Sequence, residues 1–116
     1  MVSTGTDIAA LAPGPDECPA EDWLAFLGHR WNALVLWRLA DGPKRFSDLE
    51  AQLPRISPKV LTDRLGELVR RGLVRRETAR TFPQGVTYSL TDKGRGLRDI
   101  VGRLYEWAAE ADSAES

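Results

Sequence analysis

The 116-residue sequence has only one cysteine, one histidine and one methionine, and it contains no long hydrophobic run. The lone cysteine, Cys18, cannot form a disulfide within the chain or build a cysteine-rich zinc site. No apolar stretch approaches the roughly 18 residues of a membrane span. Because no Lys or Arg precedes Arg30, the positively charged start of a signal peptide is also missing. The sequence therefore predicts a cytoplasmic protein with no membrane partner.

Residue patterns that support catalysis are equally scarce. His29 has no matching pattern of metal ligands, and no glycine-rich phosphate loop follows a predicted strand. One cysteine and one histidine on separate elements do not by themselves make a nucleophilic dyad. We therefore expect no enzyme activity, no metal and no cofactor.

Length and composition predict one domain, because a chain of this size can bury one ordinary hydrophobic core but not two. The segment 1–16 contains Gly and Pro with little apolar periodicity, which predicts a flexible arm. The folded domain is expected over residues 17–111, followed by a flexible tail over 112–116.

Charge is distributed unevenly along the chain. The segment from Lys44 to Arg80 holds ten Lys and Arg against five Asp and Glu, whereas the rest of the chain holds six against twelve. Nucleic-acid binding depends on a local positive patch, so the overall net charge of −1 does not exclude it.

Two capped helices follow each other in this basic segment. The motif SDLE from Ser47 to Glu50 predicts a capping box, in which each side chain accepts the backbone amide of the other residue. A turn over Pro54–Ile56 leads to Ser57-Pro58, which suits the cap and first turn of a fourth helix, and Gly72 ends that helix. Two short helices joined by a short turn predict a helix-turn-helix.

The fourth helix is expected to be the one that reads DNA. Its apolar spacing predicts a buried stripe formed by Leu61, Leu65, Leu68 and Val69. The N-terminal half of a recognition helix enters the major groove, where side chains meet base edges and nearby phosphates. The residues best placed for these contacts are Ser57, Lys59, Thr62 and Asp63.

Two strand-like segments, Leu73–Thr78 and Val86–Leu90, follow the helix pair. The loop between them carries Arg80 ahead of a Phe-Pro-Gln-Gly tip. This hairpin is either a wing that contacts the minor groove or a phosphate, or an ordinary solvated hairpin. Together these elements predict a mainly α fold with a small β wing, which is a winged helix-turn-helix.

The first and last helices carry extensive apolar faces. The first is expected to begin at Pro19 and end at Gly28, and the last to be capped by Thr91. These faces favour a two-fold homodimer that places two recognition helices about one DNA turn apart. Alternatively, the last helix only closes the core of its own protomer. The residues predicted at the dimer interface are Trp23, Phe26, Leu97, Ile100, Val101, Leu104, Trp107 and Ala108.

Five motifs occur together in a characteristic order: Cys18-Pro19, Gly28 with Trp31, DGPKRFSDL, ISPKVLTDRL and YSLTDKG. In this combination the sequence from Cys18 to about Trp107 resembles the HxlR family of bacterial transcriptional regulators. The resemblance implies a MarR-like winged helix-turn-helix dimer that binds operator DNA. It also implies a recognition helix that contains Ser57, Pro58, Lys59, Thr62 and Arg64, preceded by Lys44 and Arg45 ahead of the helix pair.

The resulting hypothesis is a homodimeric regulator whose fourth helix reads double-stranded operator DNA. Family members often hold a basic residue late in the wing tip, where this chain has Gln84 and Gly85, so the wing contact is assigned to Arg80. Phosphates are expected to be neutralised by Lys44, Arg45, Arg55, Arg64 and Arg80. The alternative is a winged-helix module that binds protein without specific DNA binding, since one fold serves several functions.

Cys18 is the candidate switch, because some members of the resembling family use a cysteine at this position to sense quinones, aldehydes or oxidants. The start of a helix favours the thiolate, whereas nearby carboxylates raise the pKa of the thiol. These carboxylates belong to Asp16, Glu17, Glu21 and Asp22. The sequence leaves open a redox sensor or an inert packed thiol, and it identifies no small-molecule effector.

Overall fold

A computed structural model describes residues 19–80 and 85–115. In chain order they form helices α1 (Pro19–Gly28) and α2 (Arg30–Arg38), a 3₁₀ turn (Leu39–Asp41), strand β1 (Lys44–Arg45), helices α3 (Phe46–Gln52) and α4 (Pro58–Arg70), strands β2 (Val74–Thr78) and β3 (Val86–Leu90), and helix α5 (Asp92–Glu115). The predicted mainly helical fold with a small wing is confirmed. The arm at 1–16, Cys18 and the wing tip at 81–84 lie outside the described residues.

Helices α2 and α4 supply the centre of the hydrophobic core. Val35 and Leu36 of α2 are completely buried, as are Leu61 and Leu68 of α4. Burial of such a side chain stabilises a fold by about 1.5–3 kcal/mol relative to exposure. The predicted stripe on α4 is wrong only at Val69, which is 37% exposed because its position on the helix turns it towards the flank of the stripe.

The wing is a three-stranded antiparallel sheet in the order β1-β3-β2. β2 and β3 form a regular hairpin whose register runs from Val74 opposite Leu90 to Thr78 opposite Val86. β1 adds two residues on the other edge of β3, with Lys44 opposite Tyr88. The sequence did not predict β1, because two residues are too few to show the alternation that indicates a strand.

The start of α5 is fixed against the base of the wing. The Thr91 hydroxyl oxygen accepts the Gly94 amide at 3.1 Å, as predicted for a cap, and the hydroxyl donates to the Gly72 carbonyl at 2.6 Å. A side chain at Gly94 would collide with the Leu73 carbonyl oxygen, so glycine is required there for close packing. α5 then continues through Glu115, so residues 112–115 are helical where the sequence predicted a flexible tail.

α5 also packs against α2 through two aromatic rings. Trp37 and Tyr105 meet edge to face, with their ring centroids 5.5 Å apart. Burial raises the pKa of the Tyr105 phenol, and the nearby positive charge of Arg38 acts in the opposite direction. On another face of α5, the side chains of Ile100, Leu104 and Trp107 are exposed.

Candidate nucleic-acid interface

Helix α3 begins two residues earlier than the Ser47 cap predicted. The Asp48 carboxylate accepts the backbone amide of Arg45 at 2.9 Å, so Arg45 is the N-cap and Ser47 lies inside the first turn. The predicted capping box between Ser47 and Glu50 is therefore wrong. Pairing of Arg45 with Thr87 in the sheet holds Arg45 extended, and this fixes where the helix can start.

The turn of the helix-turn-helix lies between the C-cap Leu53 and the N-cap Ser57, so it spans residues 54–56, as predicted. Within it Arg55 has a positive φ of 132°, a conformation that L-residues other than glycine rarely adopt. Such strain costs about 1–3 kcal/mol and persists only when the surroundings impose it. The buried Leu53 and the partly buried Ile56 anchor the turn on either side, and the Arg55 side chain is left exposed.

The start of α4 displays the residues predicted to read DNA. The Ser57 hydroxyl oxygen accepts the Val60 amide at 3.1 Å, and Pro58 occupies the first turn, as predicted. Ser57, Lys59, Thr62 and Asp63 are all exposed. Because Ser57 uses only its oxygen as the cap, its hydroxyl hydrogen is free to donate to a phosphate or base.

Lys59 and Asp63 form an ion pair on this exposed face. The Lys59 ammonium donates to the Asp63 carboxylate at 3.3 Å. Exposed pairs of this kind contribute less than about 1 kcal/mol. Lys59 can therefore exchange its partner for DNA at little cost, and the freed Asp63 could accept from a cytosine amino group.

Four arginines near α4 have no acidic partner among residues 19–80 and 85–115: Arg45, Arg55, Arg64 and Arg80. Arg45 packs near the tip end of the wing, where a Cβ on Gly85 would lie 3.1 Å from its guanidinium. Arg80 is exposed just beyond β2. Without an acidic partner in the described part of the chain, these guanidinium groups are available to phosphates.

Lys44 does not belong to this set. Its side chain is only 13% exposed, and its ammonium lies 3.5 Å from the Asp41 carboxylate. The structure therefore does not support the phosphate contact predicted for Lys44. The reason is β1, which pairs this residue with Tyr88 and turns its side chain towards the domain.

The far end of α4 is tied to α1 by Arg71, a contact that the sequence did not predict. The Arg71 guanidinium donates to Glu67 at 2.8 Å and to Asp22 at 3.0 Å. It also lies 4.3 Å from the Phe26 ring centroid, within range of a cation–π interaction. No sequence signal identified this role, because Arg71 resembles an ordinary basic residue at a helix end.

A large apolar surface lies on α1 and α5. Four apolar side chains are exposed there: Leu24 by 64%, Ile100 by 61%, Leu104 by 57% and Trp107 by 66%. Beside them an apolar groove of about 430 Å³ is lined by Trp23, Leu27, Leu97 and Ile100, with Lys93 at one side. Phe26 and Val101, also predicted at the dimer interface, are instead buried in the core of the protomer.

The described part of the chain contains no helix that is long and apolar enough to cross a membrane. Within residues 19–80 and 85–115, no three His, Cys, Asp or Glu side chains are grouped to hold a metal ion.

Comparison with known proteins bears on this helix-turn-helix directly. The sequence profile described as HxlR-like helix-turn-helix matches residues 26–116. The chain belongs to the HxlR-like helix-turn-helix family. The HTH-type transcriptional regulator YvaP of Bacillus subtilis (strain 168) is 44% identical over 94 residues, which cover 80% of this chain and 87% of YvaP. YodB of the same organism is 40% identical over 96 residues, which cover 82% of this chain and 86% of YodB.

Solved structures of this HxlR family agree with the fold. The reduced form of YodB superposes with a TM-score of 0.73 at 39% identity, covering 78% of this chain and 90% of that chain. The redox regulator HypR in its oxidised form gives 0.73 at 38% identity, covering 80% of this chain and 96% of that chain. This HxlR-type protein is thus a transcriptional regulator with a winged helix-turn-helix fold.

Proposed function

We propose that the protein is a cytoplasmic, non-catalytic regulator that binds double-stranded operator DNA sequence-specifically as a homodimer. The observation that carries this proposal is the exposed N-terminal half of α4, which displays Lys59, Thr62 and Asp63. Ser57 is also exposed, and it caps this end of the helix. A helix of this kind fits the major groove, where the four base pairs are distinguishable.

The phosphate contacts are assigned to arginines around this helix. Arg55 in the turn and Arg64 on the flank of α4 are suited to phosphates beside the groove, and Arg45 and Arg80 to phosphates beneath the wing. Such contacts set affinity and register but carry no sequence information. Specificity is therefore assigned to Lys59 and Thr62, whose side chains can reach base edges.

The homodimer is proposed to form through α1 and α5. The four exposed apolar side chains on these helices and the adjoining groove make a surface that water solvates poorly. A two-fold axis through this surface would present two α4 helices to one side of a duplex. Half-sites about one helical turn apart are then expected.

Selection of bound duplexes from a random-sequence pool tests the proposal. We expect enrichment of a two-fold symmetric site with half-sites about 10 base pairs apart. Recovery of unrelated sequences without enrichment would contradict sequence-specific binding. A single asymmetric half-site would contradict the dimer while leaving DNA recognition intact.

We also propose a thiol response at Cys18, which lies outside the described residues. It is favoured by two relatives: solved forms of YodB are described as diamide-treated and quinone-bound, and HypR is described as a redox regulator. Diamide treatment followed by mass spectrometry and a DNA-binding assay tests it. The proposal expects a modified Cys18 and an altered affinity for the selected duplex; an unmodified thiol with unchanged affinity would refute it.

A further inference from the structure

Asn32, in the first turn of α2, is the one polar side chain that is fully buried among the described residues, with 2% of its surface exposed. Its amide nitrogen donates to the Phe26 carbonyl at 2.9 Å. Its amide oxygen accepts from Nη1 of Arg64 at 3.2 Å. The side chain therefore bridges the end of α1 and the middle of the recognition helix α4.

The fold does not need this amide to satisfy the backbone. The Phe26 carbonyl already accepts the His29 amide at 3.2 Å, so it keeps a partner without Asn32. A buried amide is otherwise a disadvantage, because burial without a hydrogen bond destabilises the fold. The contact that only Asn32 provides is the one to Arg64.

Arg64 is held by one edge of its guanidinium and is free at the other. Nε and Nη2 have no acceptor among residues 19–80 and 85–115. Arg64 also lies between the buried Leu61 and Leu65 in sequence, so the backbone that carries it is fixed by the core. A free arginine loses side-chain conformational entropy when it binds, and a side chain that is already held avoids much of that loss.

We propose that Asn32 is a positioning residue for DNA recognition. Its buried amide oxygen holds the Arg64 guanidinium so that the remaining N–H groups meet a DNA phosphate beside the major groove. A planar guanidinium can donate to Asn32 on one edge and to phosphate oxygens on another, which a lysine could not do with the same geometry. This inference rests on the proposed function, since it concerns how the same surface binds DNA.

A double-mutant cycle tests the proposal on a duplex that carries the selected site. Asn32→Leu keeps the volume but removes both hydrogen bonds, and Arg64→Ala removes the guanidinium. We expect each single variant to lose roughly tenfold in affinity or more, and the double variant to stay within about twofold of Arg64→Ala. The salt dependence should fall by about one phosphate contact per protomer in Arg64→Ala.

Thr62→Ala provides the matched control, because Thr62 lies exposed on the same helix and neither hydrogen bond of the Asn32 side chain involves it. In the double variant of Asn32→Leu with Thr62→Ala, the two fold losses in DNA affinity should multiply. In the double variant of Asn32→Leu with Arg64→Ala they should not. Circular dichroism at the assay temperature establishes that each variant is folded. Asn32→Ala, which cannot clash with its surroundings, replaces Asn32→Leu if the larger side chain prevents folding.

Three results would overturn the positioning role. The first is an Asn32 variant that binds DNA like the wild type, and the second is an equal loss with and without Arg64. The third is unfolding of both Asn32 variants, which would assign Asn32 to the fold alone. Failure of the wild type to enrich any duplex would instead overturn the proposed function, and the positioning role with it.

Discussion

Truncation of Leu104 to alanine should weaken the homodimer without weakening the protomer. Leu104 lies on the outer face of α5 and is 57% exposed, so it contributes little to the core of its own protomer. Burial of a whole leucine side chain is worth about 1.5–3 kcal/mol. Roughly half of that, about 0.8–1.5 kcal/mol, is still available to a partner.

A two-fold interface contains this residue twice, so the loss per dimer is roughly 1.5–3 kcal/mol. Each 1.4 kcal/mol changes an equilibrium constant about tenfold, which predicts a dimer dissociation constant raised roughly 10- to 150-fold. Sedimentation equilibrium over a dilution series measures this constant directly. Thermal unfolding followed at high protein concentration reports on the protomer.

Glu106→Ala is the control for this prediction, since Glu106 is exposed on another side of α5, beside Trp37. It should leave the dimer constant within about twofold of the wild type, as expected for a surface substitution away from the interface. An unchanged dimer constant in Leu104→Ala would refute the assignment of the interface to this face. A lowered unfolding temperature at unchanged dimer constant would place Leu104 in the protomer core instead.

Three further predictions concern stability and salt. Gly66→Ala should raise the free energy of unfolding by about 1 kcal/mol, because Gly66 is exposed in mid-helix and a Cβ there would meet no other atom. Unchanged or lower stability in denaturant titration would contradict this. Gly94→Ala should lower the free energy of unfolding by roughly 3 kcal/mol because its methyl group collides with the Leu73 carbonyl, whereas Gly96→Ala, with open space on the same helix, should not destabilise the fold. Equal melting temperatures of the two variants would refute the close packing at Gly94. With on the order of 6–10 phosphate contacts per dimer, affinity for the selected duplex should fall by about 10³–10⁵ between 50 and 200 mM salt, and a flat titration would contradict the phosphate assignments.

The elements that the sequence predicted well carry strong local signals. Ser57-Pro58 marks the start of α4, and the glycine that follows Arg71 marks its end, because these residues suit the backbone angles that helix ends require. The hairpin strand Val86–Leu90 was placed correctly in full. The helical periodicity of α4 also predicted that Lys59, Thr62 and Asp63 are exposed.

What the sequence did not predict depends on contacts between distant residues. β1 exists only because Lys44 and Arg45 pair with β3, and that pairing also moves the cap of α3 and withdraws Lys44 from the surface. The contact between Asn32 and Arg64 joins residues 32 positions apart. Phe26 and Val101 look like interface residues in the sequence, since apolar periodicity does not tell which part of a stripe the protomer itself covers.

We propose above all that the start of α4 reads base edges while Arg45, Arg55, Arg64 and Arg80 bind phosphates. It is tested most directly by the affinity of Lys59→Ala and Thr62→Ala for the selected duplex and for a duplex of scrambled sequence. We expect each variant to lose about 1–3 kcal/mol of binding free energy on the selected duplex and less on the scrambled one, so that discrimination between the two duplexes falls. Equal losses on both duplexes would contradict base reading by these residues.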